Sequence, residues 1–377
     1  MDWVFNVPIK FYEYTVNDMK LRLNELSSKE NVVFIASKRL IRSNNLGQIL
    51  ENFGKNFTLF DESLTSLDTH LISEQFKKIT EKPELIIAIG GGTTIDFAKV
   101  ISALYEYTEN GKISVEETVD LITTKKYLEN TNPIPIIASS TTAGTGSDCT
   151  KWATIWDYDN TKKYSIDADY LYPTESWLIP ELTITLPKKL TLSTGLDALS
   201  HACESYWSQS TNAIVQQLAR DAISLIVKYL PMVLEESDNI DYRKKVYQGA
   251  FFAGLAFSNT RTTACHSISY PLTLLYGIPH GLAVSLTLCE VLKRNKEYIP
   301  DFDLFLESWN AKNVEDITGW VDSVSKDIQV LKLSQFNIKK EEIEDIIKLT
   351  FTGGRMDNNP IVFNEAEVKE ILENVYE

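Results

Sequence analysis

The first half of the chain alternates short apolar runs with segments of helical period. Residues 32–36 and 57–60 are β-branched and aromatic, and residues 85–89 (LIIAI) and 134–138 (IPIIA) are continuously apolar. Unbroken runs of this kind suit strands buried on both faces of a parallel sheet. Helical patterns fall between them, over 16–26, 40–53, 70–80 and 94–105. The alternation predicts βαβ units and a doubly wound sheet. Residues 152–156 and 162–166, separated by Asp157-Tyr158-Asp159-Asn160, predict a β-hairpin. From about residue 190 the period is helical throughout. Ile214, Leu218, Ala222, Leu225, Ile226 and Tyr229 share one face, and Pro231 is expected to end that helix. Ile317, Trp320, Val321, Val324 and Ile328 share a second face, and Ile343, Ile346, Ile347 and Thr350 a third. Asn364 with Glu367 forms a capping-box start for Val368, Ile371, Leu372 and Val375. The expected fold class is therefore α/β plus all-α. A boundary near residues 183–188 gives an α/β domain over 1–185 and a helical domain over 186–377.

Composition narrows the function classes more than the fold. At 377 residues, with 44% hydrophobic and 24% charged positions, the chain is an ordinary globular protein long enough for two cores. Its formal charge of −15 argues against nucleic acid or an anionic membrane as partner, while a small anionic substrate needs only a local cation or two. The opening MDWVFNVPIKFYE lacks the basic and apolar regions of a signal peptide, and no apolar run approaches a membrane span. Cys149, Cys203, Cys265 and Cys289 show no C-x-x-C spacing and read as core thiols. The cytoplasm is the expected compartment.

Three stretches carry candidate chemistry. In the first, a strand runs into Gly90-Gly91-Gly92-Thr93-Thr94 and then a helix. Backbone N–H groups at such a turn attract phosphate, and glycine lets it approach. In the second, Ser139-Ser140-Thr141-Thr142-Ala143-Gly144-Thr145-Gly146-Ser147 follows another strand, at the end where open α/β sheets bind ligands. The third holds Asp197, His201, His266 and His280, three of the four histidines in the chain. Asp197 and His201 are four apart in a helical segment, about 40° apart around the axis and one turn along it. An i,i+4 Asp/His pair is often only a local ion pair. The turn Gly277-Ile278-Pro279-His280-Gly281, in charge-free surroundings where an unpartnered imidazole is costly, shifts the balance toward a metal. One carboxylate and three imidazoles suit Fe(II), Zn(II) or a similar divalent ion.

Together, GGGTTIDFAK (90–99), STTAGTGSD (140–148), LIPELTITLP (178–187), TGLDALSHACESY (194–206) and CHSISYPLTLLYGIPHGLAV (265–284) resemble the iron-containing alcohol dehydrogenase family, in the family's order. The resemblance implies a Rossmann-like dinucleotide-binding domain followed by a helical metal-binding domain, a dehydroquinate synthase-like architecture that assembles as a homodimer. It implies metal-dependent, NAD(H)- or NADP(H)-linked interconversion of a small aldehyde and its alcohol, with the site expected in the cleft between the halves. By position it assigns Asp197, His201, His266 and His280 to the metal. It assigns Gly91, Gly92, Thr93, Asp96, Thr141, Thr142, Thr145, Ser147 and Lys163 to the nucleotide.

Three departures shape the expected substrate. Where many members carry an aspartate after the second strand, this chain has Ser37 followed by Lys38 and Arg39, which would tolerate a 2′-phosphate. Tyr270 stands where the family often has a further histidine, so a phenol or water would relay the proton. Arg261 interrupts a stretch that is usually small and apolar, five residues before His266 on helical geometry. A paired structural arginine is one reading of it; a clamp for a carboxylate, phosphonate or sulfonate is the other. Arg355 is a second candidate clamp. The stretch NTRTTACHSISYPLT looks like that of members that reduce phosphonoacetaldehyde to 2-hydroxyethylphosphonate, with sulfoacetaldehyde reduction or general short-chain alcohol oxidation as alternatives. A non-redox lyase of the dehydroquinate synthase type is the rival from another class, and the D-x-x-x-H pairing argues against it.

Overall fold

The computed structural model describes residues 5–54, 57–351 and 353–377. It divides into two compact units. The first comprises Val7–Thr142 and Ser147–Thr183. The second comprises Ile184–Glu377 together with residues 5–6 and the Ala143–Gly146 segment of the hydroxyl-rich loop.

The first unit is built on a six-stranded sheet of β1 (Lys10–Glu13), β2 (Val32–Ile35), β3 (Phe57–Phe60), β4 (Leu85–Gly90), β5 (Ile136–Ser140) and β8 (Glu175–Leu178), with β6 (Trp152–Asp157) and β7 (Lys162–Asp167) forming the separate hairpin. The sheet order is β1-β8-β5-β4-β2-β3, with every pairing parallel. Alternate residues of each strand enter opposite cores. Val33, Ile35, Ile86, Ala88, Ile136 and Ala138 face one, and Val32, Phe34, Leu85, Ile87, Ile89 and Ile137 face the other. Burial on both sides is why these strands show no polar alternation. Each such isoleucine contributes roughly 1.5–3 kcal/mol by leaving water.

Two strands carry no apolar run to betray them. β1 (KFYE) has polar ends and β8 (ESWL) begins with Glu175 and Ser176; Glu175 pairs with Arg22 at 3.0 Å. The single helix expected over 40–53 is two short ones, Lys38–Ser43 and Gly47–Glu51. Asn44 and Asn45 fall at the break, Asn45 with φ of 53°.

The second unit is helical. Its central helix, Lys188–Trp207, is buried on every side from Thr191 onward, as a helix wrapped by others must be. Helices Ala213–Glu235, Ile240–Thr260 and His280–Asn295 pack around it. Ile343, Ile346, Ile347 and Thr350 form a buried face as expected, and Asn364 with Glu367 makes the capping box.

Pro231 does not end its helix, which runs on to Glu235. A proline inside a helix lacks the N–H that would bond the carbonyl four residues back. Here that carbonyl belongs to Val227, and it accepts the indole N–H of Trp320 at 3.2 Å. The orphaned acceptor is thus satisfied from a neighbouring helix. Of the expected face Ala222 and Ile226 are buried, but the stripe is wider and shifted toward Val215, Ala219, Ile223 and Leu230, while Ile214 is 42% exposed. Among the described residues, no helix is long and apolar enough to cross a membrane.

Candidate metal and nucleotide sites

The metal candidates are set by three helices of the second unit. Asp197 and His201 lie one turn apart on the central helix, and His266 lies in the first turn of Ala264–Tyr276. Gly277 closes that helix in the left-handed conformation (φ 64°), and the next helix starts at His280. Gly281 then meets the central helix directly. A Cβ there would lie 1.9 Å from the Ser193 carbonyl oxygen and 2.9 Å from Asp197 Cβ. Only glycine admits this approach, which brings His280 beside Asp197.

The donor atoms of Asp197, His201 and His266 lie within 4.8 Å of one another. His266 Nε2 is 3.6 Å and His280 Nε2 4.0 Å from Asp197 Oδ1. The His201 and His266 rings stack at 4.5 Å, and Phe257 covers the other face of His201 at 4.1 Å. His280 stands at the rim: its side chain is 37% exposed, against 4% for Asp197 and 3% for His266. The cluster is closed on three sides and open at His280.

Two hydroxyls of the central helix are satisfied within it. Ser200 donates to the Leu196 carbonyl and Ser205 to that of His201. By contrast, Asp197 Oδ1, His201 Nδ1 and His266 Nε2 are buried without a hydrogen-bond partner among the described residues. Such atoms are costly unless something binds them. A divalent ion shared by a carboxylate and imidazoles fits this set.

Electrostatics point the same way. Burial works to raise the Asp197 carboxyl, but the three imidazoles outweigh it and hold it well below the usual carboxylate range. Burial pushes His201 down to about 4, so it is neutral and able to ligate. Burial would lower His266 too, but Glu204 and Asp197 together push it up to about 9. A proton therefore holds the place a cation would take. Below about pH 9, each unit fall in pH should weaken divalent-ion binding by about tenfold for this one displaced proton. Chelator competition between pH 6 and 8 measures it, and a flat profile would contradict the assignment of His266.

Glu204 is the residue the sequence reading missed. Fully buried, it meets His266 Nδ1 through Oε2. Burial works to raise its carboxyl, and His266 and Thr263 reverse that and keep it low. Its signal was present: a lone acid in the apolar run HACESYW, seven residues after Asp197 and so on the same helical face.

Tyr270 is buried, its ring parallel to that of His280 at 6.1 Å. Its hydroxyl accepts from Arg355 Nε at 3.2 Å. Arg261 is not in a helix with His266. Helix Ile240–Thr260 ends before it, and the next begins at Ala264. Arg261 occupies the joint at φ 62° and ψ −178°, a region almost reserved for glycine and costing of order 1–3 kcal/mol. It is exposed and lines a cleft of about 280 Å³ with Asn259, Asp357 and Asn358. Its Nη1 passes over Gly354, where a Cβ would be 2.9 Å away. Arg261 and Arg355 thus flank one turn.

The nucleotide candidates lie mostly in the first unit. The sheet order reverses between β2 and β4, so the loops leaving their carboxyl ends part there, the usual place for a dinucleotide. Gly91 starts helix Gly92–Leu104 in extended conformation with no side-chain cap, and its first-turn N–H groups and dipole favour an anion. Gly90 pairs with Ser140, and a Cβ on Gly91 would touch the Thr142 methyl at 3.7 Å, so the loops after β4 and β5 run side by side. Thr93 and Thr141 are half-buried there. Ser37 caps the Lys38–Ser43 helix by accepting from Leu40 N–H.

Asp96 and Ser147 belong to a network behind this loop. Asp96 accepts from the Ser147 hydroxyl and from Thr154 N–H, and the charge of Lys163 acts on it. Buried Lys99, pushed down to about 8 by desolvation, donates to Ser147, Thr150 and the Trp152 carbonyl. The network ties the helix to the hairpin. Thr145 lies in the Ala143–Gly146 segment of the second unit.

Residues 8–180 match the profile described as iron-containing alcohol dehydrogenase, and residues 191–376 match the C-terminal part of the Fe-containing alcohol dehydrogenase family. The NADPH-dependent butanol dehydrogenase of Clostridium saccharobutylicum is 30% identical over 307 residues, covering 78% of this chain and 77% of that one. This chain belongs to the iron-containing alcohol dehydrogenase family. The NAD-dependent methanol dehydrogenase of Bacillus methanolicus is 26% identical, with 95% of both chains covered. Among solved structures, the sulfoacetaldehyde reductase of Bifidobacterium kashiwanohense in complex with NAD+ superimposes with a TM-score of 0.87 at 27% identity, covering 100% of this chain and 99% of that one. As a family member the chain is an oxidoreductase of small alcohols and aldehydes that uses a divalent metal ion and a nicotinamide dinucleotide.

Proposed function

We propose that this dehydrogenase reduces a small aldehyde bearing an anionic head group, phosphonoacetaldehyde being the expected substrate, to the primary alcohol. The observation that carries the reading is the contact of Arg355 with Tyr270, whose ring lies parallel to His280. It sets a permanent cation beside the open side of the candidate metal cluster. Arg261, held in a costly backbone conformation across the same turn, supports it, since such strain collects at binding sites. The likeness to a sulfoacetaldehyde reductase favours the sulfonate counterpart as second substrate.

In this reading Asp197, His201, His266 and His280 would hold the ion, which would supply Lewis-acid chemistry. A reduced nicotinamide, when bound, would supply the hydride. Gly91, Gly92, Thr93, Thr141 and Thr142 hold its phosphates, with Lys163 and Thr145 as further contacts. Asp96 and Ser147 brace the loop. Ser37, Lys38 and Arg39 leave room for a 2′-phosphate, so NADPH as well as NADH is accepted. Arg355 and Arg261 grip the head group, and Tyr270 relays the proton to the oxygen.

Replacing Arg355 by Leu tests the clamp. A charge-assisted contact worth about 1.5–3 kcal/mol predicts a roughly 10- to 150-fold loss of kcat/KM on phosphonoacetaldehyde. Propanal reduction should stay within about threefold. Equal losses on the two aldehydes would return Arg355 to a structural role.

A further inference from the structure

The helix that carries His266 has no side-chain cap of its own: Thr263, at its N-cap, makes no such bond. The cap comes from the central helix. Glu204 Oε1 accepts from the N–H groups of Cys265 at 2.7 Å and His266 at 3.3 Å, and from the Thr263 hydroxyl at 2.8 Å. Thr263 in turn accepts from Trp207 Nε1 at 3.0 Å. The other oxygen, Oε2, meets His266 Nδ1. One carboxylate therefore holds both the start of the helix and the ring that projects from it. A carboxylate can only accept, so Nδ1 must carry the hydrogen between them. His266 Nε2 is left facing Asp197 Oδ1 at 3.6 Å.

We propose that Glu204 is the positioning residue of the metal centre: it fixes a hydrogen on His266 Nδ1 and so turns Nε2, the nitrogen an ion would take, toward Asp197 and His201. The inference rests on the metal assignment above. Its physical content is the difference between a carboxylate and an amide. Glu204→Gln keeps the shape and an oxygen for the backbone N–H groups, but turns an NH2 group toward Nδ1. His266 must then accept at Nδ1 and carry its proton on Nε2, where it blocks an ion.

The test compares wild type, Glu204→Gln and Thr263→Val for Zn2+ affinity by competition with a chromophoric chelator, and for thermal midpoint. Glu204→Gln should weaken Zn2+ binding by about 10- to 100-fold. Thr263→Val removes two hydrogen bonds of the same network without touching the ring, so its midpoint should fall while its affinity stays within about threefold. Affinity lost equally in both variants would mean simple loosening and would overturn the proposal. So would unchanged affinity in Glu204→Gln. The chain has only four histidines, so imidazole 15N shifts of Zn2+-loaded wild type report the tautomer even if a variant fails to fold. An Nε2–H signal for His266 would overturn the assignment. Wild type that takes up no Zn2+ fails the metal reading itself, and the positioning role falls with it.

Discussion

In Asp197→Ala protein, aldehyde-dependent oxidation of NADH or NADPH falls by roughly 1,000-fold, the equivalent of about 4 kcal/mol in the barrier. Asp197 is the only carboxylate in the candidate ligand set and the residue both His266 and His280 approach. Its loss leaves imidazoles alone to hold a dication. Far-UV circular dichroism should be retained, because the central helix does not depend on the Asp197 side chain for its backbone bonds. Metal content by atomic emission should fall with activity. A variant that stays metal-free yet turns over within tenfold of wild type would remove the ion from the chemistry.

Gly281→Val has the second large effect, and it acts on stability as well as on the site. The added carbon would stand 1.9 Å from a backbone oxygen of the central helix, and nothing on a helix interior can yield that far. The start of helix His280–Asn295 must back away, taking His280 with it. Overpacking of this kind costs about 3 kcal/mol, and Zn2+ affinity should fall by more than tenfold as His280 leaves the rim. Gly277→Ala is the control. Its φ is positive, but among the described residues nothing lies within 4 Å of the added carbon, so it should cost about 1 kcal/mol and leave the affinity intact. Chemical denaturation and chelator competition on the two variants separate the effects, and equal affinities would show that His280 is not held by this contact.

What the sequence made legible follows from how local each signal was. β2, β4 and β5 are buried on both faces, so their apolar runs are unbroken, and the Asp197–His201 pair sits on one helix. β1 and β8 were missed because each is short and interrupted by polar residues, Lys10 and Glu13 in one and Glu175 and Ser176 in the other, which a run-based reading takes for loop. Pro231 misled because the rule that proline ends a helix assumes an unsatisfied carbonyl, and Trp320, 93 positions away, satisfies it. The same non-locality hid Glu204. Its partners Thr263, Cys265 and His266 belong to another helix, and periodicity in one segment says nothing about the start of another. Arg261 was placed on a continuous helix because the residues around it are compatible with one. The break at 261–263 is a backbone conformation that composition does not announce.

The parallel pairing of β1 with β8 sets an order of events on the ribosome. Lys10 pairs with Glu175 and Glu13 with Leu178, so the earliest strand to emerge has no partner until the last strand of its sheet has been made. At roughly 5–20 residues per second, translation leaves it waiting for on the order of ten seconds or more. Its polar ends, the same feature that disguised it as a loop, keep it soluble through that interval.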